Sequence, residues 1–291
     1  MIKTIVIYNP IAGGGKNKNL PELIKRHLDY TKFNTTIIAT EYAGHGKLLA
    51  KEAISTGVEL IIIAGGDGSI NEIASCVSQT KTTLGIIPSG SGNGIARHLK
   101  LPLTPQKAIQ RINRYTISSM DAGEWNNRFF LGFAGLGFDG HIAELFSHSK
   151  KRGFLNYAKL VLKEIRSFSP FDLQLTLPTI EKKITNVFIA TIANTSQYGN
   201  NFKIAPKANA SDGKLDGIII TKPKTKLGLL HILFQSLIGT LETNPNYQTI
   251  PIEDTITLYS TYTYAHIDGE PFTTEKEITC KLIKNAVYVV V

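Results

Sequence analysis

The strongest chemical signal in this chain is the stretch Gly65-Gly66-Asp67-Gly68-Ser69-Ile70-Asn71-Glu72. Its glycines permit a tight turn and leave no side chain between backbone and ligand. Ser69 is suited to cap a helix, with Glu72 as its capping-box partner. A helix starting there turns its positive end and its unpaired N–H groups towards an anion. Asp67 is the odd member, because a carboxylate repels phosphate unless a cation stands between them. These types at this spacing predict a polyphosphate site with Mg²⁺, and hence phosphoryl transfer.

The elements that hold this loop read outward from it. Glu59-Leu60-Ile61-Ile62-Ile63-Ala64 is a short apolar, β-branched run that reads as a buried parallel strand. The pattern recurs at Lys3–Tyr8, followed by Asn9-Pro10-Ile11-Ala12-Gly13-Gly14-Gly15-Lys16. It recurs again at Thr83–Ile87, followed by Pro88-Ser89-Gly90-Ser91-Gly92-Asn93-Gly94 and a short helix from Ile95 to Leu99. The first turn lacks Walker spacing, which argues against a P-loop NTPase. Ligands of open α/β sheets collect at the carboxyl ends of the strands. The nucleotide candidates are therefore Asn9, Gly13 and Gly14 in the first turn, the 65–69 backbone with Asn71 and Glu72 in the first helical turn after it, and Ser91 and Asn93 in the third.

Thr35–Ala39 reads as a further strand, and 19–28, 46–55 and 70–77 as helices, the first with an asparagine cap and a proline in its first turn. This rhythm predicts a Rossmann-like α/β domain with a parallel sheet. From Asp121 strand-like runs dominate: 129–133, 173–177, 187–192, 215–220, 255–259, 262–267 and 286–291. Helical patterns fall at 143–147, 156–168 and 227–241. The second domain reads as a mostly antiparallel β-sandwich. The expected boundaries are 1–122, 123–285 and a final strand at 286–291.

Lys and Arg number 32 against 23 Asp and Glu, a formal charge of +9, so an anionic partner is expected: nucleic acid, an anionic membrane or nucleotide phosphates. Cys76 and Cys280 lack metal spacing and read as thiols of a reduced, cytoplasmic protein. No signal peptide is visible. The 227–241 segment is apolar but too short to span a bilayer. Leu230, Leu233, Phe234, Leu237, Ile238 and Leu241 recur there at helical spacing and predict a helix packed on the protein by that face, with a membrane-dipping helix as the alternative. His45, His98, His141 and His266 read as structural or surface residues, and Trp125 as packing.

Taken in order, the motifs resemble the diacylglycerol kinase catalytic domain family, which includes sphingosine and ceramide kinases and bacterial soluble lipid kinases. The resemblance rests on Asn9-Pro10 with its glycines, Gly65-Gly66-Asp67-Gly68-Ser69 with Asn71-Glu72, and Pro88-x-Gly-Ser-Gly-Asn. It continues through Gly135-Leu136-Gly137-Phe138-Asp139, the basic-Gly-x-x-x-Tyr element at 151–157, Asn194 with Tyr198-Gly199, Ala205–Ala208, Asp212–Asp216 and Asp268-Gly269-Glu270. It covers essentially the whole chain.

The resemblance implies an NAD-kinase-like nucleotide domain, a lipid-binding sandwich, and a last strand returning to the first domain. It implies ATP and Mg²⁺ as cofactors and a lipid hydroxyl, of diacylglycerol or a related lipid, as acceptor. Peripheral association with an anionic membrane surface is implied, with no nucleic-acid partner; a homo-oligomer is compatible with it. Asp268 becomes the general base, Glu270 a metal or nucleotide contact, Thr40 a nucleotide contact and Asp139 a head-group contact. Lys150-Lys151-Arg152 reads as a solvated basic patch or a contact to phosphate or lipid. Asp212 reads either as a structural Mg²⁺ ligand with the carbonyl oxygens of Asn209 and Lys214, or as an ordinary Asp-Gly turn. Bacterial diacylglycerol kinases of this family usually carry Asp where this chain has Gly94; sphingosine-kinase-like members also lack that acid. The alternatives are a sphingoid-lipid kinase, an NAD kinase, which shares a Gly-Gly-Asp-Gly loop, and a nucleotide-sensing membrane-binding protein. The late Asp-Gly-Glu and the Pro88 loop favour the lipid kinase over the NAD kinase, and intact Asp67 and Asp268 argue against a dead site.

Overall fold

Leu60–Gly65 is buried at every position, as a strand covered on both faces must be. In the computed structural model, which describes residues 1–12, 16–149, 154–178 and 180–291, it is the third strand of a parallel sheet. Strands β1 (Ile2–Tyr8), β2 (Phe33–Ala39), β3 (Leu60–Gly65) and β4 (Thr83–Pro88) lie in the order β4-β3-β1-β2. The chain's last strand pairs parallel with β4 through Tyr288 and Val289. Helices α1 (Leu20–His27), α2 (His45–Ser55), α3 (Asp67–Val77), α4 (Gly94–His98) and α5 (Pro105–Arg114) connect the strands. α1 packs with α5 and α2 with α3. This α/β unit comprises Met1–Met120 with Asn285–Val291.

The second unit, Asp121–Lys284, is antiparallel. Its strands are β5 (Ile117–Trp125, which enters from the first unit), β6 (Arg128–Phe130), β7 (Phe133–Gly137), β8 (Phe171–Leu177), β9 (Ile180–Ala193), β10 (Leu215–Thr221), β11 (Tyr247–Ile252), β12 (Thr255–Ser260), β13 (Tyr264–Ile267), β14 (Glu270–Thr273) and the first part of β15 (Glu277–Val290). β9 organises them. Its first half pairs with β8, and its second half pairs with β7 on one side and β10 on the other. Helices α6 (Phe138–Ser147), α7 (Phe154–Glu164) and α8 (Lys226–Ile238) complete the unit. Phe138 stacks on Phe188 at 4.6 Å in a core that includes Phe168 and Phe171. Trp125 is fully buried, its Nε1–H donating to Thr274 Oγ1 at 2.9 Å.

Several expected elements differ. α3 starts at Asp67, with Gly66 at its cap and no side-chain cap bond, so Ser69 lies inside the first turn and is not the cap. Asn71 and Glu72 fall in the second turn, and Glu72 caps a neighbour instead, its Oε1 accepting the Lys47 N–H of α2 at 2.8 Å. The run at 129–133 is split between β6 and β7, because the Leu131 and Gly132 N–H groups turn to a carboxylate rather than to a neighbouring strand. The strand expected at 262–267 starts at Tyr264, and the last strand begins at Glu277. α8 packs on the protein as expected but only partly by the expected face, of which Leu233 lies against the core and Leu241 is buried. Leu229, Ile232, Gln235 and Ser236 face inward, while Leu230, Phe234, Leu237 and Ile238 are exposed.

Candidate functional site

Register puts the glycine turns of the first unit side by side. Tyr8 is level with Ala39 and Ala64, and Gly65 with Pro88, so the residues after them, Asn9, Thr40, Gly66 and Ser89, emerge along one edge of the sheet. The Thr40 N–H donates to the Tyr8 carbonyl at 2.9 Å. Asn9 Oδ1 accepts the Ile11 N–H at 3.0 Å and fixes the start of its turn. Gly13 and Gly14 lie outside the described residues.

Asn17, a residue that motif reading passes over, knits these turns together. It is buried, and its Nδ2 donates to the Asn9 carbonyl at 2.9 Å and to Ser89 Oγ at 3.0 Å. Asn93 closes the third turn on itself, accepting the Gly90 N–H at 2.8 Å and donating to the Gly90 carbonyl at 3.0 Å. Its φ of 52° is the left-handed conformation that asparagine tolerates. The second and third turns touch backbone to backbone, since a Cβ on Gly90 would lie 2.6 Å from Gly66 Cα. Gly90→Ala must therefore push the two turns apart. The expected result is a loss of about 1–3 kcal/mol of stability, as for overpacking, together with a raised KM for nucleotide. Thermal melting and steady-state kinetics check both.

Asp67 occupies the first position of α3. Its Oδ2 accepts the Gly94 N–H at 3.0 Å and its Oδ1 the Ile95 N–H at 3.1 Å. The carboxylate thus bridges the starts of α3 and α4. Burial pushes its pKa up, against the pull of these N–H groups. Among the described residues no cluster of three or more His, Cys, Asp or Glu could hold a metal. One carboxylate beside phosphates suits Mg²⁺, which keeps several waters and takes few protein ligands. Gly68 and Ser69 lie in the first turn of α3, where N–H groups have no intrahelical acceptor. Ser91 is exposed at the tip of the third turn.

In the second unit Asp268 sits at the tip of the β13–β14 hairpin, φ 48°, with Gly269 at φ 86°, the pair of positive φ values that a type I′ turn requires. Its side chain faces inward. Oδ1 accepts the Gly132 and Phe133 N–H groups, each at 2.9 Å, and Oδ2 accepts that of Leu131 at 3.0 Å. This shelf is braced from behind, because Asn194 Nδ2 donates to the Leu131 carbonyl at 2.8 Å and the Asn194 N–H to the Gly132 carbonyl at 2.8 Å. Gly132 is obligatory, since a Cβ there would lie 2.5 Å from Asp268 Oδ1. Glu270, at the start of β14, is exposed.

Asp139 is buried in the first turn of α6. Its Oδ2 accepts from Thr191 Oγ1 at 2.6 Å and Tyr198 OH at 2.7 Å and lies 3.1 Å from His266 Nε2. Burial alone would raise its pKa, but the His266 ring and the two hydroxyls outweigh burial and hold it below the usual carboxylate range. His266 Nδ1 in turn accepts the Gly269 N–H at 3.4 Å, which ties this cluster to the turn that carries Asp268. A narrow apolar cavity opens onto Asp139 and Tyr198, walled by Tyr157 and Val161 of α7 and Ile232 and Leu233 of α8. Because the folded pKa of Asp139 lies below its unfolded value of about 3.9, the stability it contributes is present above that pH. That stability is lost as pH falls through the folded value. Asp139→Asn should melt lower at neutral pH and lose less on acidification than the parent, as melting curves from pH 7 to pH 3 will show.

Asp212, Asn209 and Lys214 stand apart in exposed turns. Asp212 Oδ1 accepts the Lys214 N–H at 3.1 Å and Asn209 Oδ1 the Ser211 N–H at 3.2 Å. Lys150, Lys151 and Arg152 lie outside the described residues. Cys76 and Cys280 are both free thiols.

Comparison with known proteins matches both units. A model of the diacylglycerol kinase catalytic domain matches residues 3–125, and a model of the YegS C-terminal NAD kinase beta sandwich-like domain matches residues 132–291. A Bacillus subtilis protein named diacylglycerol kinase is 30% identical over 238 residues, covering 76% of this chain and 75% of that protein. A Chromohalobacter salexigens protein named "Probable lipid kinase YegS-like" is 29% identical over 214 residues, 71% of this chain and 68% of that protein. The crystal structure of a diacylglycerol kinase from Bacillus anthracis str. Sterne superposes with a TM-score of 0.75 over 99% of this chain and 96% of that one. At 20% identity this last likeness is one of fold alone.

Proposed function

The chain belongs to the diacylglycerol kinase family, and we propose that it transfers the γ-phosphate of ATP to the hydroxyl of a diacylglycerol or closely related lipid at a membrane surface. The observation that carries this reading is the apolar cavity of the second unit, whose lining includes the buried Asp139 and its hydrogen-bond partner Tyr198. An apolar cavity with a few polar groups in its lining suits a long-chain alcohol. It suits NAD poorly.

The roles divide between the units. In the first, the turns after β1, β3 and β4 hold the nucleotide phosphates. The backbone N–H groups of Gly68 and Ser69 face the anion, and Asn9, Thr40, Asn71, Ser91 and Asn93 line the rim. Asp67 would hold Mg²⁺ or a water of its shell, and the ion would neutralise phosphate charge when bound; Glu72 is a nucleotide contact. In the second unit Asp139 and its hydroxyl partners orient the acceptor head group. Asp268, fixed by its three N–H donors, takes the proton of the acceptor hydroxyl. Glu270 contacts nucleotide or metal. Phosphoryl transfer asks little more of a protein than positioning and charge neutralisation.

No helix of the described residues is long and apolar enough to cross a membrane. In this reading the acceptor is met at the membrane surface, on the side where ATP is. The experiment is an acceptor competition with γ-labelled ATP, in which diacylglycerol, a sphingoid alcohol and NAD are offered together to the purified protein. Label in phosphatidate supports the reading, and label confined to NADP refutes it.

A further inference from the structure

α8 is apolar on two faces. One packs inward through Leu229 and Ile232. The other leaves Leu227 78%, Leu230 46%, Phe234 58%, Leu237 47% and Ile238 52% exposed. At about 100° per residue these fall in a single band about 100° wide along the outer side of the helix. Scattered apolar side chains on a surface need no explanation, but a contiguous ridge does. The helix has no acidic residue, and exposed Lys224 and Lys226 stand at its start. Lys203 lies against its C-cap glycine, Gly239. The inner side of the same helix walls the apolar cavity whose lining includes Asp139.

We propose that α8 is the membrane-docking element of this protein, lying in the head-group layer of an anionic bilayer with Leu227, Leu230, Phe234, Leu237 and Ile238 in the acyl boundary and Lys224 and Lys226 against lipid phosphates. An apolar ridge bordered by lysines is the pattern of an interfacial helix. Its 13 residues span about 20 Å, short of a hydrocarbon core of about 30 Å, so it lies on the membrane and does not cross it. Charge selects this occupant over a second copy of the chain, because pairing two such faces would crowd lysines of like charge, whereas anionic lipid neutralises them. The inference rests on the lipid-kinase reading for its purpose: lipid drawn up beside α8 is already next to the cavity that α8 walls.

The test is made without nucleotide or turnover. Trp125 is the single tryptophan and is fully buried, so an indole introduced by Phe234→Trp reports on α8. On phosphatidylglycerol vesicles it should blue-shift and be quenched by lipids brominated on the acyl chains. Leu230→Gln with Phe234→Gln should weaken vesicle binding by about 100-fold. Lys224→Gln with Lys226→Gln should weaken it by about 30-fold at low salt. All three variants should keep the parent circular dichroism spectrum. An unquenched indole on vesicles that bind the protein would overturn the proposal. So would a dimer that Leu230→Gln with Phe234→Gln dissociates while the indole stays unquenched, since that assigns the face to a second copy. Docking through α8 without lipid phosphorylation would contradict the kinase reading alone, and lipid phosphorylation with an unquenched indole would contradict the docking face alone.

Discussion

Asp268→Ala should lower lipid phosphorylation by roughly 100- to 10,000-fold, the range for loss of a general base, while nucleotide binding is retained. The carboxylate accepts three N–H groups of the Leu131–Phe133 shelf, and these donors and the Gly132 approach set its position. Removing it also leaves those buried N–H groups without their acceptor, which costs about 1–3 kcal/mol. Activity and stability must therefore be measured together. Melting temperature reports the shelf, and nucleotide affinity by calorimetry reports the first unit, which contains no part of the shelf. A folded, ATP-binding variant with near-normal turnover would remove Asp268 from the mechanism.

Asp67→Asn should raise the Mg²⁺ concentration needed for half-maximal ATP binding by about 10- to 100-fold, the range for losing a residue that holds a metal through its shell. Binding of metal-free nucleotide should change much less. Asparagine keeps one acceptor oxygen but turns an NH₂ towards one of the two N–H groups of Gly94 and Ile95, so part of the bridge between α3 and α4 goes too. The parent carries a pH signature of the same residue. Burial raises the Asp67 pKa, so its carboxylate protonates at a higher pH than an ordinary aspartate of about 3.9. Metal-dependent nucleotide binding should be lost from that side first on acidification. A Mg²⁺ requirement unchanged by Asp67→Asn would contradict the assigned role.

Much of the fold is legible in the chain because local rules and burial agree there. Runs such as Leu60–Ala64 are short, β-branched and wholly apolar, which favours covered parallel strands, and the glycines after them mark the turns into the helices. α5 is absent from the expected elements, although Thr104-Pro105 followed by Ala108, Ile109 and Ile112 is a helix start with an apolar face. The short strands β11 and β14 carry little alternation of their own and exist through their partners β10 and β13.

Site residues divide along the same line. Asp67 and Asp268 stand out by type within glycine-rich motifs. Asn17 does not, because its role is a pair of contacts to turns that are distant in sequence. The Leu131–Gly132 shelf is invisible for a similar reason: its chemistry is backbone N–H, which every residue but proline has. The inward face of α8 is only partly legible because both of its faces are apolar, and periodicity alone cannot say which one the protein covers.

The most direct test of the account is the fate of the γ-phosphate. Purified full-length protein is given Mg²⁺, γ-labelled ATP and diacylglycerol in mixed micelles, and labelled lipid and ADP are counted over time. The account predicts one phosphatidate for each ADP, with turnover abolished by Asp268→Ala. ADP formed with label only in inorganic phosphate, or no ADP formed with any lipid acceptor by a protein that binds ATP, would contradict it.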